Sequence, residues 1–287
     1  NNEDESSYTA EQWGFLLRGG FRLDDESNLS LRYGLTWRSI QNITKSSASP
    51  AVIETEGVTL KSYVGAVYTW DNLDNPNRPT NGFRGQLIGE VAGLGGDVYF
   101  GSVEARGWYF IPLYEDSIVL KLEANAGHVQ PLGGDGVPLQ DRFFKGADTF
   151  RGFAVSGVGP RQGSNDGDTD AIGGRTYAIG TVELSFPVFL PEEWGIEGSV
   201  FSDFGTVFNS GVDSEAAGQG DCSYGENVTA SGPGCEVFDT ADIRMSVGAG
   251  IIWQSPFGPL RFEAAYPLLK TDYDETEWFR FSVGTRF

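Results

Sequence analysis

The sequence predicts an all-β protein, a transmembrane antiparallel β-barrel, on three observations. Segments of about ten residues alternate between apolar and polar side chains, which gives each strand one face for lipid and one for a polar lumen. Short turns alternate with long polar loops along the chain, an asymmetry typical of such barrels. The 287 residues include 20 Phe, 11 Tyr, 7 Trp and 40 Gly, a composition that suits closely spaced strands with aromatic rings at the membrane interfaces.

Counting the two-residue period along the chain gives eleven strands. The first lies near Trp13–Leu23, and the most regular one follows at Leu29–Trp37. The others are predicted near Ser62–Asp71, Phe83–Ala92, Val98–Phe110, Ile118–His128, Thr176–Phe186, Ile196–Phe208, Ile243–Gln254, Leu260–Tyr266 and Trp278–Phe287. Most of these segments have the length of about 9–11 residues that a tilted strand needs to cross a membrane.

The last strand ends the chain on an aromatic residue. Its apolar face carries Phe279, Phe281, Val283 and Phe287, and its polar face carries Arg280, Ser282, Gly284 and Arg286. Bacterial single-chain barrels have even strand numbers, so either one strand escapes the pattern or further strands precede Asn1. The acidic start of the chain favours further strands. We therefore predict that Glu277–Phe287 pairs with Leu260–Tyr266 on one side and, within this chain, is unpaired or poorly paired on the other.

Charge and cysteine content limit the possible partners and compartments. The net charge of −20 argues against nucleic acid as a partner, because phosphate binding requires a basic face. Much of the acid lies in Asn1–Ser6, Ser164–Asp170 and Asp272–Glu277, which we interpret as solvated, mostly outer, loops. Cys222 and Cys235 lie in one long polar loop and are predicted to form a disulfide, which implies an oxidising compartment.

Residues suited to enzyme chemistry are scarce. His128 is the only histidine; it is predicted to end a strand, and no Gly-x-Ser-x-Gly elbow accompanies it. No cluster has the ligand spacing of a zinc site, and no glycine-rich phosphate loop follows a strand and opens a helix. The prediction is therefore a protein that is not an enzyme and has no cofactor and no metal site; a lipase or protease barrel is the remaining enzyme alternative.

The longest predicted loop, Pro131–Arg175, is rich in aromatic residues and glycines. Its sequence Phe150-Arg-Gly-Phe153 places a cation between two rings, beside a glycine that permits close approach of the backbone. In the longest loop, ahead of the last five predicted strands, this sequence resembles the arginine-containing loop motif of the BamA family of outer-membrane protein insertases.

Other segments resemble the same family, in the family's order and over nearly the whole chain. Asp71–Gly82 is similar to its proline-rich periplasmic turn, Phe201–Val207 to its strand motif F-x-D-x-G-x-V, and Ser255–Leu260 to its turn S-P-x-G-P-[LIV]. Tyr266–Lys270 resembles the segment that follows, and Ala92–Asp97 looks like alphaproteobacterial members in particular.

The resemblance implies that residues 1–287 are the C-terminal part of an outer-membrane β-barrel domain. They would form the last eleven strands of about 16, with the first strands and the POTRA domains absent. The implied function is to recognise unfolded β-barrel proteins and to template their folding and insertion into the outer membrane of a Gram-negative bacterium. The implied partners are these unfolded clients, outer-membrane lipid and lipopolysaccharide, and accessory assembly lipoproteins. A related barrel of a two-partner secretion or autotransporter-assembly system is the alternative.

Carried over residue by residue, the resemblance makes Arg151 the loop arginine that reaches into the lumen. Alternation places Asp203 on the inward face of its strand, and we predict that it pairs with Arg151 through a bond that can be bidentate. Glu183, inward on the preceding strand, is the second candidate.

The last strand is predicted to form a weak seam, because Ser282 and Gly284 offer little packing on its polar face. Its seam residues are Phe279, Phe281, Gly284 and Phe287. If this strand leaves its partner, the exposed edge can pair with an incoming strand.

Overall fold

The computed structural model describes residues 9–44, 48–114, 117–133, 136–164, 168–188, 190–191, 194–212, 222–223, 229–230, 236–255 and 258–284. In this part of the chain, no helix is long and apolar enough to cross a membrane.

Eleven strands form a single antiparallel sheet in which each strand neighbours the next one of the set along the chain. They are β1 (Thr9–Arg22), β2 (Ser27–Gln41), β3 (Gly57–Asp71), β4 (Gly82–Ala92), β5 (Phe100–Tyr114), β6 (Ile118–Pro131), β7 (Thr176–Pro187), β8 (Ile196–Phe208), β9 (Arg244–Ser255), β10 (Gly258–Leu269) and β11 (Phe279–Val283). β1 and β11 form the two edges, and within the described residues no backbone pairing joins them. The predicted fold class and the number of strands are confirmed.

The two faces of the sheet have opposite polarity, as predicted. On β8, Val200 and Phe204 are each 43% exposed on one face, whereas Asp203 on the other face is 2% exposed. On β7, Val182 is 40% exposed and its neighbour Glu183 is 2% exposed. A wall with apolar side chains outside and charged side chains inside is the reverse of a soluble sandwich, and it suits lipid outside and a polar lumen inside.

Several strands differ in length from the prediction. β2 runs over Ser27–Gln41 rather than Leu29–Trp37, because the ladder of backbone hydrogen bonds continues beyond the segment that has apolar alternation. His128, predicted to end its strand, lies inside β6, where its Nδ1 is 2.8 Å from Thr176 Oγ1. β11 is shorter than predicted, and Phe287 lies outside the described residues.

The connection between β3 and β4 is an ordered turn that crosses towards β8. Asp74 organises it, because its carboxylate accepts hydrogen bonds from the backbone N–H of Thr80 at 3.0 Å and of Asn81 at 3.2 Å. Burial opposes ionisation of Asp74, but these bonds and that from the Thr80 hydroxyl hold the pKa of Asp74 below its usual value. Arg78, near the tip of the turn, forms an ion pair with Glu197 on β8.

Long connections form a cap at the ends of the strands opposite to the β3–β4 turn. Three short strands from two of them, Arg161–Gly163, Thr169–Ala171 and Val237–Phe238, make a three-stranded sheet. The β2–β3 connection adds helix α1 (Pro50–Ile53), whose Ala51 N–H donates to Gln162 Oε1 at 2.9 Å. Three different connections are therefore bonded to one another.

Arg244, the first residue of β9, is buried where the wall meets the β10–β11 connection. Its Nε lies 3.1 Å from Asp274 Oδ2, and neither side chain has exposed surface. Its other nitrogens donate to the Tyr273 hydroxyl at 3.0 Å and to the Asp242 carbonyl at 2.8 Å. The acidic segment Asp272–Glu277 is therefore not solvated throughout, and that prediction is wrong for Asp274.

We expect Arg244→Met to lower the free energy of unfolding of the intact protein by about 3–5 kcal/mol, because Asp274 is left buried without its cation. Urea unfolding in lipid bilayers, followed by tryptophan fluorescence, measures this change. Asp272→Asn is the matched control, since it removes a charge from an exposed side chain of the same connection; we expect it to stay within about 0.5 kcal/mol of the parent. If Arg244→Met lowered the free energy of unfolding by less than about 1 kcal/mol, the Arg244–Asp274 pair would contribute no more than a weak surface ion pair. That result would contradict the prediction.

Candidate functional site

The sequence Phe150-Arg-Gly-Phe153 forms a buried turn of the loop between β6 and β7. The Phe150 and Phe153 rings lie edge to face with centroids 5.0 Å apart, and both are fully buried. They belong to an apolar cluster with Val158, Tyr177, Ile179 and Val207, against which Phe143 packs. The two rings anchor the loop to the inner wall on either side of Arg151.

Gly152 permits the conformation of this turn. Its φ is +88°, and an added Cβ would lie 3.0 Å from the Ser246 side chain on β9. Both the positive φ and the close approach to β9 disfavour any larger residue. On the other side of the contact, Ser246 Oγ donates to the Arg151 carbonyl at 2.5 Å.

Arg151 forms a bidentate contact with Asp203, as the sequence predicted. Its Nε donates to Asp203 Oδ2 at 2.8 Å, and its Nη2 donates to Asp203 Oδ1 at 2.7 Å. The Arg151 backbone N–H also donates to Oδ2 at 2.9 Å. Thr181 Oγ1 on β7 donates to Oδ1 at 2.8 Å, so the carboxylate is held in place from both sides.

The third guanidinium nitrogen is shared by two more carboxylates. Arg151 Nη1 donates to Glu183 Oε2 at 3.1 Å and to Glu263 Oε1 at 3.0 Å. Glu183 is the predicted second acid, whereas Glu263 on β10 was not predicted. Arg261, two residues before Glu263, donates to Glu183 Oε1 at 3.1 Å. The alternation that located Asp203 also places Arg261 and Glu263 inward on β10, so the same pattern applied to that strand would have found them.

The cluster is almost closed to solvent: the Arg151 side chain is 5% exposed, and those of its three acids are 3% exposed or less. The Phe201 ring covers the guanidinium, with its centroid 3.4 Å from Arg151 Cζ. Burial alone would lower the pKa of Arg151, but the hydrogen bonds and negative charge of the acids, Asp203 foremost, raise that pKa above its usual value. The guanidinium therefore stays charged, and the arrangement can fix the loop to three strands at once.

The arginine turn also contacts the segment that leads into β11. Backbone bonds run from Ala154 N–H to the Glu275 carbonyl at 3.0 Å and from Glu277 N–H to the Gly152 carbonyl at 3.2 Å. Arg161 adds an ion pair to the Glu275 side chain. The loop is thus bonded directly to the chain that enters the edge strand.

β11 pairs with β10 on one side, as predicted, with Phe279 opposite Ala264 and Val283 opposite Leu260. The Phe279 and Phe281 side chains are exposed on the outer face. Gly284 follows the strand with a φ of +114°. The seam role of these residues stays a prediction.

The predicted disulfide also stays a prediction, because Cys235 and the side chain of Cys222 lie outside the part of the chain that the structure describes. Among the described residues, no group of three or more His, Cys, Asp or Glu side chains is arranged to hold a metal ion.

Comparisons with known proteins agree with the motif resemblance. A family model described as the Omp85 superfamily domain matches residues 1–287. The outer membrane protein assembly factor BamA of Neorickettsia risticii (strain Illinois) is 32% identical over 267 residues, which are 93% of this chain and 33% of that protein. The chain thus spans about a third of the length of this relative.

Solved structures match the fold. The crystal structure of BamA from Haemophilus ducreyi lacking POTRA domains 1-3 has a TM-score of 0.78 at 24% identity, over 96% of this chain and 54% of that one. CdiB from Escherichia coli has a TM-score of 0.53 at 14% identity, over 96% of this chain and 44% of that one. At these identities both structures support the barrel fold, and the first matches it more closely.

Proposed function

Because this chain belongs to the Omp85 superfamily, we propose that it is the C-terminal part of the β-barrel domain of an outer-membrane protein assembly factor. Its location is the outer membrane of a Gram-negative bacterium, as for its BamA relative. In this proposal the first strands of the barrel and the POTRA domains belong to the rest of the intact protein. The factor recognises unfolded β-barrel proteins and templates their folding and insertion.

The family model that matches the whole chain supports this proposal most directly, and β11 is the strand to which the proposal assigns client pairing. Among the described residues, β11 has β10 as its only neighbour. Gly284 N–H donates to the Pro259 carbonyl at 2.8 Å, and Ala265 N–H donates to the Trp278 carbonyl at 2.9 Å. These two bonds fix which residues of β11 face β10.

Bonded and non-bonded positions alternate along an antiparallel pair. The backbone N–H and C=O groups of Phe279, Phe281 and Val283 therefore point away from β10, towards the open edge. A strand of an unfolded barrel protein can add to this edge by backbone pairing. Its own amides are then bonded as it enters lipid, where each bare group costs several kcal/mol.

The Arg151 cluster has a positioning role in this proposal. It fixes the loop to β7, β8 and β10, and the loop in turn holds the segment that enters β11. The loop therefore holds the end of β11 at which Phe279 lies. The backbone of β11 remains able to pair with another strand.

The proposed partners are unfolded outer-membrane clients, accessory assembly lipoproteins, and the lipid and lipopolysaccharide that meet the apolar outer face. Templating forms and breaks hydrogen bonds but no covalent bonds, so the proposal involves no enzyme activity and no cofactor. Assembly is favoured over the two-partner secretion alternative because the Neorickettsia risticii relative that matches 93% of this chain is an outer membrane protein assembly factor.

The proposal is tested with the intact protein in liposomes to which a urea-unfolded client barrel is added. Heat-modifiable mobility of the client measures its folding rate. We expect folding at least about tenfold faster than in liposomes that contain an unrelated barrel in equal amount, equivalent to about 1.4 kcal/mol off the barrier. Equal rates would contradict the proposal, and export of a passenger without client folding would support the secretion alternative.

A further inference from the structure

A second buried ion cluster holds the same loop to another part of the wall. Arg38 donates to the Asp141 carboxylate twice, Nη1 to Oδ2 at 2.6 Å and Nη2 to Oδ1 at 3.0 Å. Lys61 Nζ donates to Oδ1 at 2.8 Å. The Asp141 side chain is 4% exposed, so this carboxylate is nearly as buried as the acids around Arg151.

The two clusters attach different parts of the wall. Arg38 lies on β2 and Lys61 on β3, whereas the acids around Arg151 lie on β7, β8 and β10; β4, β5 and β6 separate the two groups in the sheet. Asp141 and Arg151 are ten residues apart in one loop. The loop thus presents an acid to wall cations at one end and a cation to wall acids at the other.

The wall cations at the Asp141 end are themselves held in place. Lys61 Nζ lies 2.6 Å from Glu90 on β4 and 4.8 Å from the centroid of the Tyr63 ring. Arg32 on β2 also pairs with Glu90, at 3.1 Å. Among the described contacts, Glu90 bonds Lys61 and Arg32, whereas the hydrogen bonds of the Arg38 guanidinium go to Asp141. The geometry at this end is therefore specific for a carboxylate on the loop.

We propose that Asp141 is a second positioning residue, and that Asp141 and Arg151 together make this loop a two-ended tie between the β2–β3 side and the β7–β10 side of the wall. Release of either end loosens the attachment of the whole loop to the wall. It therefore also weakens the contacts of the loop with the segment that enters β11. The tie deepens the proposed function and, in its effect on client assembly, rests on it.

The test uses the intact protein in liposomes with two pairs of spin labels. Gln140 and Val64 report the Asp141 end of the tie, and Val155 and Leu268 report the end near β11; all four side chains are exposed. We expect Asp141→Asn to broaden the distance distributions of both pairs, although Asp141 contacts neither Val155 nor Leu268. Glu54→Gln, which removes an exposed carboxylate from the β2–β3 connection, is the matched control and should change neither pair.

Two further variants separate the tie from a local packing effect. Asp141→Glu keeps the charge and should retain both narrow distributions, and Arg38→Met should reproduce Asp141→Asn from the wall side. A broadening confined to the Gln140–Val64 pair would overturn the tie and reduce Asp141 to a local contact. No broadening in either pair would exclude any positioning role.

Client folding provides a second and independent measurement. We expect Asp141→Asn to slow client folding about tenfold, and the double variant with Arg151→Met to be no slower than Arg151→Met alone, because one cut already releases the tie. If the client-folding rate of the double variant fell by the product of the two single-variant factors, the two residues would act independently, which would contradict a single tie. If the parent protein folds no client, the proposed function fails, while the spin-label distances still decide whether the tie exists.

Discussion

Arg151→Met should slow client folding by the intact protein about tenfold or more and lower its free energy of unfolding by about 3–5 kcal/mol, as expected when a buried ion pair loses one partner. Methionine fills much of the same space under the Phe201 ring but leaves Asp203, Glu183 and Glu263 without the guanidinium that bonds all three. Client folding in liposomes and urea unfolding in bilayers measure the two effects separately.

Arg175→Met is the matched control for the change at Arg151. Arg175 lies at the end of the same loop and donates to the Asn209 side chain at 2.7 Å, but it contacts no carboxylate in the described structure. We expect its loss to cost about 1 kcal/mol, as for an ordinary hydrogen bond, and client folding to continue. Client folding at the parental rate in Arg151→Met would contradict the positioning role.

A double variant separates stability from function. Arg151→Met with Asp203→Asn neutralises one of the stranded acids, so we expect it to regain part of the lost free energy of unfolding. Client folding should stay as slow as in Arg151→Met alone, because the loop still lacks its bond to β8. Recovery of both properties together would mean that Arg151 acts on stability alone. The free energy of unfolding and the client-folding rate of Arg151→Lys should both lie between those of the parent and of Arg151→Met, because an ammonium group cannot form the bidentate contact.

Much of the wall could be predicted from the sequence, because lipid and lumen impose a strict two-residue alternation. Asp203 was placed on the correct face of its strand by that period alone. The period is lost where a strand leaves the membrane, which is why β2 extends beyond Leu29–Trp37. Glu263 follows the same alternation on β10, but the predicted partners of Arg151 lay only on the two strands that follow the long loop.

Residues in the loop were harder to predict, because no period links a loop residue to the wall. Arg151 was found through its motif and paired with an inward acid, but the sequence gives Asp141 the appearance of an ordinary loop carboxylate. Its burial depends on a contact with Arg38, about a hundred residues earlier in the chain. The prediction that the β10–β11 connection is solvated was wrong for Asp274 for the same reason. The burial of Asp274 depends on its tertiary contact with Arg244.

The edge of β11 gives the second large expected effect, from Phe281→Pro in the intact protein. Proline removes the Phe281 N–H, which points to the open edge, and leaves the bonds between β11 and β10 intact; edge strands tolerate proline for this reason. An acceptor on the incoming strand is then left without a donor, at a cost of about 1–3 kcal/mol. We expect client folding to slow by about 5- to 150-fold if this cost falls on the rate-limiting pairing step.

Phe281→Ala is the matched control for this prediction, because it removes the same ring from the outer face and keeps the N–H. Heat-modifiable mobility of the variant itself should show both barrels folded, and crosslinking from a cysteine at Ser282 to the client should fall only in the proline variant. Client folding at the parental rate in the proline variant would mean that the β11 edge is not where clients pair. An equal loss in both would assign the effect to the ring and its contact with lipid. A loss specific to proline would place client recognition on the backbone of β11, which is the arrangement that lets one edge accept strands of many different sequences.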